Sequence, residues 1–228
     1  MRLDKFLSDS GLFTRNDAKK FIKNKKISVD GIFITDPSFQ ISENSCVYFE
    51  GRKIEPYHNI YIMVNKPSGY VSANSDSRYP CITQLIDHPY KNDLAVAGRL
   101  DIDVTGLVLL SNDGNFVHNV ISPKKNIMKK YKILHDGILN EEKKLILTSG
   151  IDFKEYRSSE AIVEIINDKE FFLSIHEGKY HQVKRMVKYI GLNLIKLERT
   201  AVGGLNLDIN IGDYRLLNED DIKLIFGY

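Results

Sequence analysis

The sequence predicts an α+β protein in two parts, a small helix-and-hairpin module followed by a larger domain built mainly on antiparallel strands. Three observations carry this. Residues 1–26 hold apolar side chains at helical spacing. Residues 26–34 read as strand, Asp-Gly turn, strand, and most apolar runs beyond residue 60 have strand length and end at turn residues. A chain of 228 residues accommodates one large domain or two unequal ones.

Leu3, Phe6 and Leu7 share one helix face, and Gly11 is a natural stop after it. Thr14 is placed to cap a second helix with Asp17 in its first turn, turning Ala18, Phe21 and Ile22 inward and Arg15, Lys19, Lys23 and Lys26 outward. Residues 1–26 carry eight cations against three acids, a local charge of +5 in a chain whose net charge is only +2. A basic stripe of this kind follows a phosphate backbone, or else is a solvated helix face. Gly51 to Asn59 reads as a linker. The expected domains are therefore 1–58 and 59–228.

In the second part, Tyr61–Val64, Gly106–Leu110, Ala161–Ile166 and Phe171–Ile175 read as strands, with Asn112-Asp113-Gly114 as a turn. One helix stands out, because Val183, Met186, Val187 and Ile190 share a face and Gly191 follows as its stop. At 43% hydrophobic and 27% charged residues, the composition excludes a disordered chain and a membrane-spanning one. The N-terminus lacks the apolar stretch of a signal peptide, so a cytoplasmic location is expected. Cys46 and Cys81 share no CxxC spacing and predict neither a disulfide nor a zinc site.

The stretch Gly98-Arg99-Leu100-Asp101-Ile102-Asp103-Val104-Thr105-Gly106 sets carboxylates, a cation and a hydroxyl between glycines at a strand entry. By spacing alone Asp101 caps a turn as readily as it reacts. Tyr131 lies among Lys129, Lys130 and Lys132, a pattern that suits stacking on an unpaired base or plain packing in a strand. Lys179, Lys184 and Arg185 cluster where a strand passes into the clear helix, a natural anion site. His181 has no second histidine at ligand spacing and reads as a helix-capping residue.

Residues 1–31, MRLDKFLSDSGLFTRNDAKKFIKNKKISVDG, resemble an S4-type RNA-binding domain. NKPSGYV, GRLDIDVTGLVLLSNDG, EGKYHQVKRM and LERTAVGGL resemble, in order, the motifs of the ribosomal RNA pseudouridine synthases. The resemblance runs from Met1 to about Ile222. It implies an S4-like domain followed by a mostly antiparallel-sheet pseudouridine synthase domain, with Asp101 as the catalytic carboxylate. Asp103 carries no catalytic role in it. Tyr131 is implied to lie against the target uracil, Lys184 to pair with Asp101, and Arg99 to hold phosphate or the flipped strand. Lys66 shapes a turn beneath the site, while Leu197, Arg199 and Gly203 pack beside the pocket. Phosphate contacts are expected from Arg2, Arg15, Lys19, Lys20, Lys23, Lys129, Lys130, Lys179 and Arg185. The implied reaction needs no cofactor and no metal, and turns the base of a flipped uridine.

The implied partner is ribosomal RNA, 16S rRNA at uridine 516 or a small-subunit assembly intermediate, with 23S rRNA as the alternative and the protein acting as a monomer off the membrane. Two readings of other classes compete. One is a non-catalytic RNA-binding assembly protein, and the other a magnesium-dependent nuclease built on Asp101, Asp103 and Asp113.

Overall fold

A computed structural model describes all residues except 11, 43, 55–58, 89, 90 and 228. It divides into two compact units, Met1–Asn59 and Ile60–Tyr228. The expected stop at Gly11 and residues 55–58 of the expected linker, with the expected boundary near 58, lie outside the described residues.

The first unit packs helices α1 (Leu3–Asp9) and α2 (Arg15–Lys23) on a four-stranded sheet of β1 (Ile27–Val29), β2 (Ile32–Phe33), β3 (Val47–Phe49) and β4 (Arg52–Ile54), in the order β2-β1-β3-β4. Thr14 caps α2 by accepting the Asp17 amide at 3.2 Å, as its sequence position predicts. The Asp30-Gly31 turn has positive φ at both residues, 51° and 85°, which gives the tight hairpin between β1 and β2. Leu3, Leu7, Ala18, Ile22 and Ile27 form the core, and Phe13, Phe21 and Phe49 seal it edge to face. β4 occupies the start of the stretch read as linker, because Glu50-Gly51 makes a second hairpin turn and Ile54 is buried.

The second unit is organised by a nine-stranded sheet. Its strands are β5 (Tyr61–Lys66), β6 (Ala95–Ala97), β7 (Thr105–Ser111), β8 (Lys129–Asp136), β9 (Ile162–Asn167), β10 (Glu170–Ile175), β11 (Asn193–Val202), β12 (Leu205–Asn206) and β13 (Tyr214–Leu216). The main order is β13-β5-β7-β11-β8-β10-β9, and every pairing is antiparallel except β7 with β11. Helices cover both faces. On one, α5 (Gln182–Tyr189) lays Val183, Met186 and Val187 against Ile62, Val64, Val108 and Leu110, and α4 (Glu141–Ser149) adds Leu147. On the other, α3 (Gly114–Ile121) and α6 (Glu219–Phe226) lay Phe116, Val120 and Ile225 against Met63, Leu107 and Leu109. Burial on both faces explains the uninterrupted apolar run of β7. No described helix is long and apolar enough to cross a membrane.

Three helices escaped the sequence reading. Asp113, read as a turn residue, caps α3 by accepting the amides of Asn115 and Phe116 at 2.9 and 3.3 Å. Asn140 caps α4, and Asn218 forms a capping box with Asp221 on α6.

Gly106 lies where the parallel strands meet, with φ of 108°, and a Cβ there would stand 2.7 Å from the Arg199 amide nitrogen. Gly106→Ala is expected to destabilise the protein by about 2–4 kcal/mol through strain and overpacking, read as a lower urea midpoint at unchanged slope.

Candidate active site

The segment between β6 and β7 carries Asp101 and belongs to no strand, so its shape depends on contacts from below. Leu100 is gripped by Ser72, whose hydroxyl donates to the Leu100 carbonyl at 2.9 Å and accepts its amide at 3.0 Å. The Gly69 amide and the Lys66 ammonium both donate to the Ile102 carbonyl, at 2.8 and 3.2 Å. Lys66 also donates to the carbonyls of Pro67 and Tyr70, at 3.0 and 2.8 Å, and is wholly buried. Burial pushes its ammonium down to about 8, while Asp103 and Asp101 pull the other way. Arg199, also buried, donates to the carbonyls of Leu107 and Gly98, both at 2.7 Å.

Above this support lies an open cavity walled by Leu100, Val104, Ile175, Val183 and Leu197, with Arg99, Asp101, Tyr131, Lys179, His181 and Lys184 supplying its polar and aromatic groups. Tyr131 is the third residue of β8, opposite Leu173 and Arg199, and only 8% of it is exposed. Lys184, in the first turn of α5, places its ammonium 2.9 Å from Asp101 Oδ2 and 2.6 Å from Asp103 Oδ1. Burial opposes the charges of Lys184 and Asp103, but their hydrogen bond prevails, raising the lysine and lowering the aspartate from their ordinary values. His181 brings Nε2 to 3.5 Å from Asp101 Oδ1. The arrangement offers a carboxylate at the edge of an apolar slot, held by one cation and faced by a tyrosine ring.

Residues 60–189 match the family model described as RNA pseudouridylate synthase, and residues 1–45 match the S4 domain. The chain belongs to the RNA pseudouridylate synthase family. Two relatives are the ribosomal small subunit pseudouridine synthases A of Vibrio cholerae and Escherichia coli K12. They are 37% and 34% identical to this chain, each over 99% of it and all of the relative. A solved crystal structure of a pseudouridylate synthase, 36% identical, superposes with a TM-score of 0.71 over 99% of both chains.

As a pseudouridine synthase, the molecule brings four of the expected residues, Asp101, Arg99, Tyr131 and Lys184, around one cavity. Arg99 is exposed, and among the described residues it has no ion-pair partner. Lys179 stands at the rim. One expected RNA contact, Lys129, needs correction, and Lys130, Arg185 and Arg2 are paired within the chain. Lys129 is buried and donates to the carbonyls of Val120, Ile127 and His176, so its ammonium braces the chain and reaches no phosphate. Lys130 pairs with Glu164 at 2.8 Å over the Phe172 ring, and Arg185 pairs with Glu155 at 2.7 Å over the Phe153 ring. Arg2 is bidentate to the buried Asp4, with both bonds at 3.0 Å, and Lys26 pairs with Glu50. Arg15, Lys19, Lys20 and Lys23 are exposed as expected.

His181 occupies the cap position of α5 but makes no capping bond. Its backbone is left-handed and its ring points to Asp101 instead. Ser72 carried no signal in the sequence, since only the folded loop shows its partner. Among the described residues no metal-holding cluster forms, and Asp113 serves α3, apart from the Lys184 pair of Asp101 and Asp103.

Lys66 gives a signed pH prediction. With its folded value near 8 against an ordinary 10.5, the unfolded chain binds more protons between those limits, so stability contributed by Lys66 rises across that window. In urea titrations from pH 7.5 to 10, the advantage of wild type over Lys66→Met is expected to grow by about 1–3 kcal/mol. A difference independent of pH would refute an ammonium buried at this strength.

Proposed function

We propose that this protein converts one uridine of ribosomal RNA to pseudouridine, with 16S rRNA at the position numbered 516 as its target and Asp101 as the catalytic residue. The observation that carries this reading is the Asp101 carboxylate, pinned by Lys184 at the edge of a slot faced by Tyr131. The relatives named for the ribosomal small subunit, matched end to end, favour that RNA over 23S.

Uridine in a stacked strand hides its reactive atoms, so it swings out and enters the cavity. Tyr131 lies against the base, and the apolar wall excludes water while the base is detached. Arg99 holds the strand by a phosphate. Asp101 acts through its carboxylate on the nucleoside as the bond from ribose to nitrogen breaks, and the base turns and rejoins the ribose through a ring carbon, which gives up its proton while the freed nitrogen takes one up. No electrons are gained or lost overall. Lys184 fixes the carboxylate's direction, and Asp103 shares the charge of that lysine.

The exposed cations of α2 supply affinity to the phosphate backbone, within a 1–58 RNA-binding domain that serves a 59–228 catalytic domain. Replacing Lys19 and Lys23 together by glutamine is expected to weaken RNA binding and to flatten its dependence on log salt by about 1–2 units, at an unchanged rate with saturating enzyme. An unaltered salt slope counts against this role for α2.

The central test is pseudouridine mapping of 16S and 23S rRNA after incubation with wild type or Asp101→Asn in EDTA. Wild type is expected to add one pseudouridine in 16S rRNA, with the variant slower by roughly a thousandfold or more. Equal activity of the variant would remove Asp101 from the chemistry. A new site in 23S rRNA would move the target.

A further inference from the structure

Tyr180 is 78% exposed, the most exposed of the large hydrophobic side chains described. It is nonetheless ordered against a neighbour. Its ring lies on the His181 imidazole with centroids 3.8 Å apart and planes 19° apart, and the same imidazole approaches Asp101 at 3.5 Å. One face of Tyr180 is thus fixed to the cavity wall and the other faces solvent. Lys179 and Arg99, both exposed, flank the same mouth. The chemistry described above uses neither Tyr180 nor its stack.

We propose that Tyr180, stacked on His181 at the mouth of the Asp101 cavity, is the platform on which the nucleotide next to the target uridine stacks once that uridine has swung in. The proposal rests on the cavity being the uridine site. Removing one base from a stack leaves its neighbour with an uncovered face, and backbone continuity keeps that neighbour at the mouth. A fixed aromatic face covers any base, and cations beside it meet the adjoining phosphates. That combination favours RNA over an apolar protein partner. Because His181 joins the platform to Asp101, a correctly stacked neighbour also fixes the imidazole beside the carboxylate. Tyr180 is in this sense a positioning residue that ties the nucleotide next to the target to the reacting centre.

The test uses an RNA fragment around the uridine found by mapping, together with two versions carrying an abasic site immediately 5′ or 3′ of it. Binding and single-turnover conversion are measured for wild type, Tyr180→Ala and Tyr180→Phe. On intact RNA, Tyr180→Ala is expected to bind about 10- to 100-fold more weakly, and Tyr180→Phe to match wild type because stacking needs only the ring. On one of the two abasic RNAs the difference between wild type and Tyr180→Ala is expected to vanish, since the stacking partner is gone. Unchanged binding by Tyr180→Ala, or a loss of equal size on all three RNAs, overturns the proposal. The functional reading fails separately, if wild type makes no pseudouridine in the intact RNA.

Discussion

The site depends on two buried cations. Lys66 and Arg199 hold the carbonyls of Ile102 and Gly98, on either side of Asp101 and outside any strand, and Arg199 also anchors itself on the Leu107 carbonyl of β7. A loop that leaves the sheet must find other partners for its backbone groups, because an unpaired buried carbonyl costs about as much as a lost hydrogen bond. Water would satisfy them but would leave the loop free to move. A lysine ammonium can donate three bonds and a guanidinium five, and both are fixed by their own strands, β5 and β11. The unfavourable burial of Lys66, visible in its depressed value of about 8, is the cost of a carboxylate held in one place.

The sharing of Lys184 between Asp101 and Asp103 follows the same logic. A reaction that draws on the negative charge of Asp101 would leave a lone lysine partly buried without a counter-ion. Asp103, at 2.6 Å, keeps that cation compensated while its neighbour is engaged. Lysine suits this arrangement better than its usual comparison with arginine suggests, because a compact ammonium can bridge two separate carboxylates, whereas a planar fork favours one in bidentate contact.

Local chemistry explains what could be read in the chain. The Asp30-Gly31 hairpin, the Thr14 cap and the α5 face are each specified within a few residues, and each forms as its spacing predicts. The helix α3 was hidden because Asn115, Val117, Asn119 and Val120 are weak helix formers, so that packing on Met63, Leu107 and Leu109 decides its form. The caps of α4 and α6 were visible, as Asn140 and Asn218 before acidic first turns, but α4 has only a weakly one-sided apolar pattern. In the site, Asp101, Tyr131 and Lys184 came from motif order, which encodes the meeting of distant segments. Ser72 and the turn of His181 toward Asp101 did not, since nothing in either residue's neighbourhood names a partner so far along the chain.

The cations make the opposite case. Counting lysines and arginines near the motifs overstated the charge available to RNA, because Lys129, Lys130, Arg185 and Arg2 are each engaged within the chain. Once these are set aside, the exposed positive charge expected at the cavity reduces to Arg99 and Lys179, with Lys184 neutralised by two carboxylates. Two cations hold a strand in register but give little non-specific affinity, which grows with the number of phosphates neutralised. On the proposed reading, the exposed row Arg15, Lys19, Lys20 and Lys23 adds attraction for phosphate, so that the cavity can remain largely apolar around the base. A further cation placed at the reacting centre for affinity would compete with Lys184 for Asp101, which is a physical reason for such a protein to keep its phosphate-binding charge apart from its carboxylate.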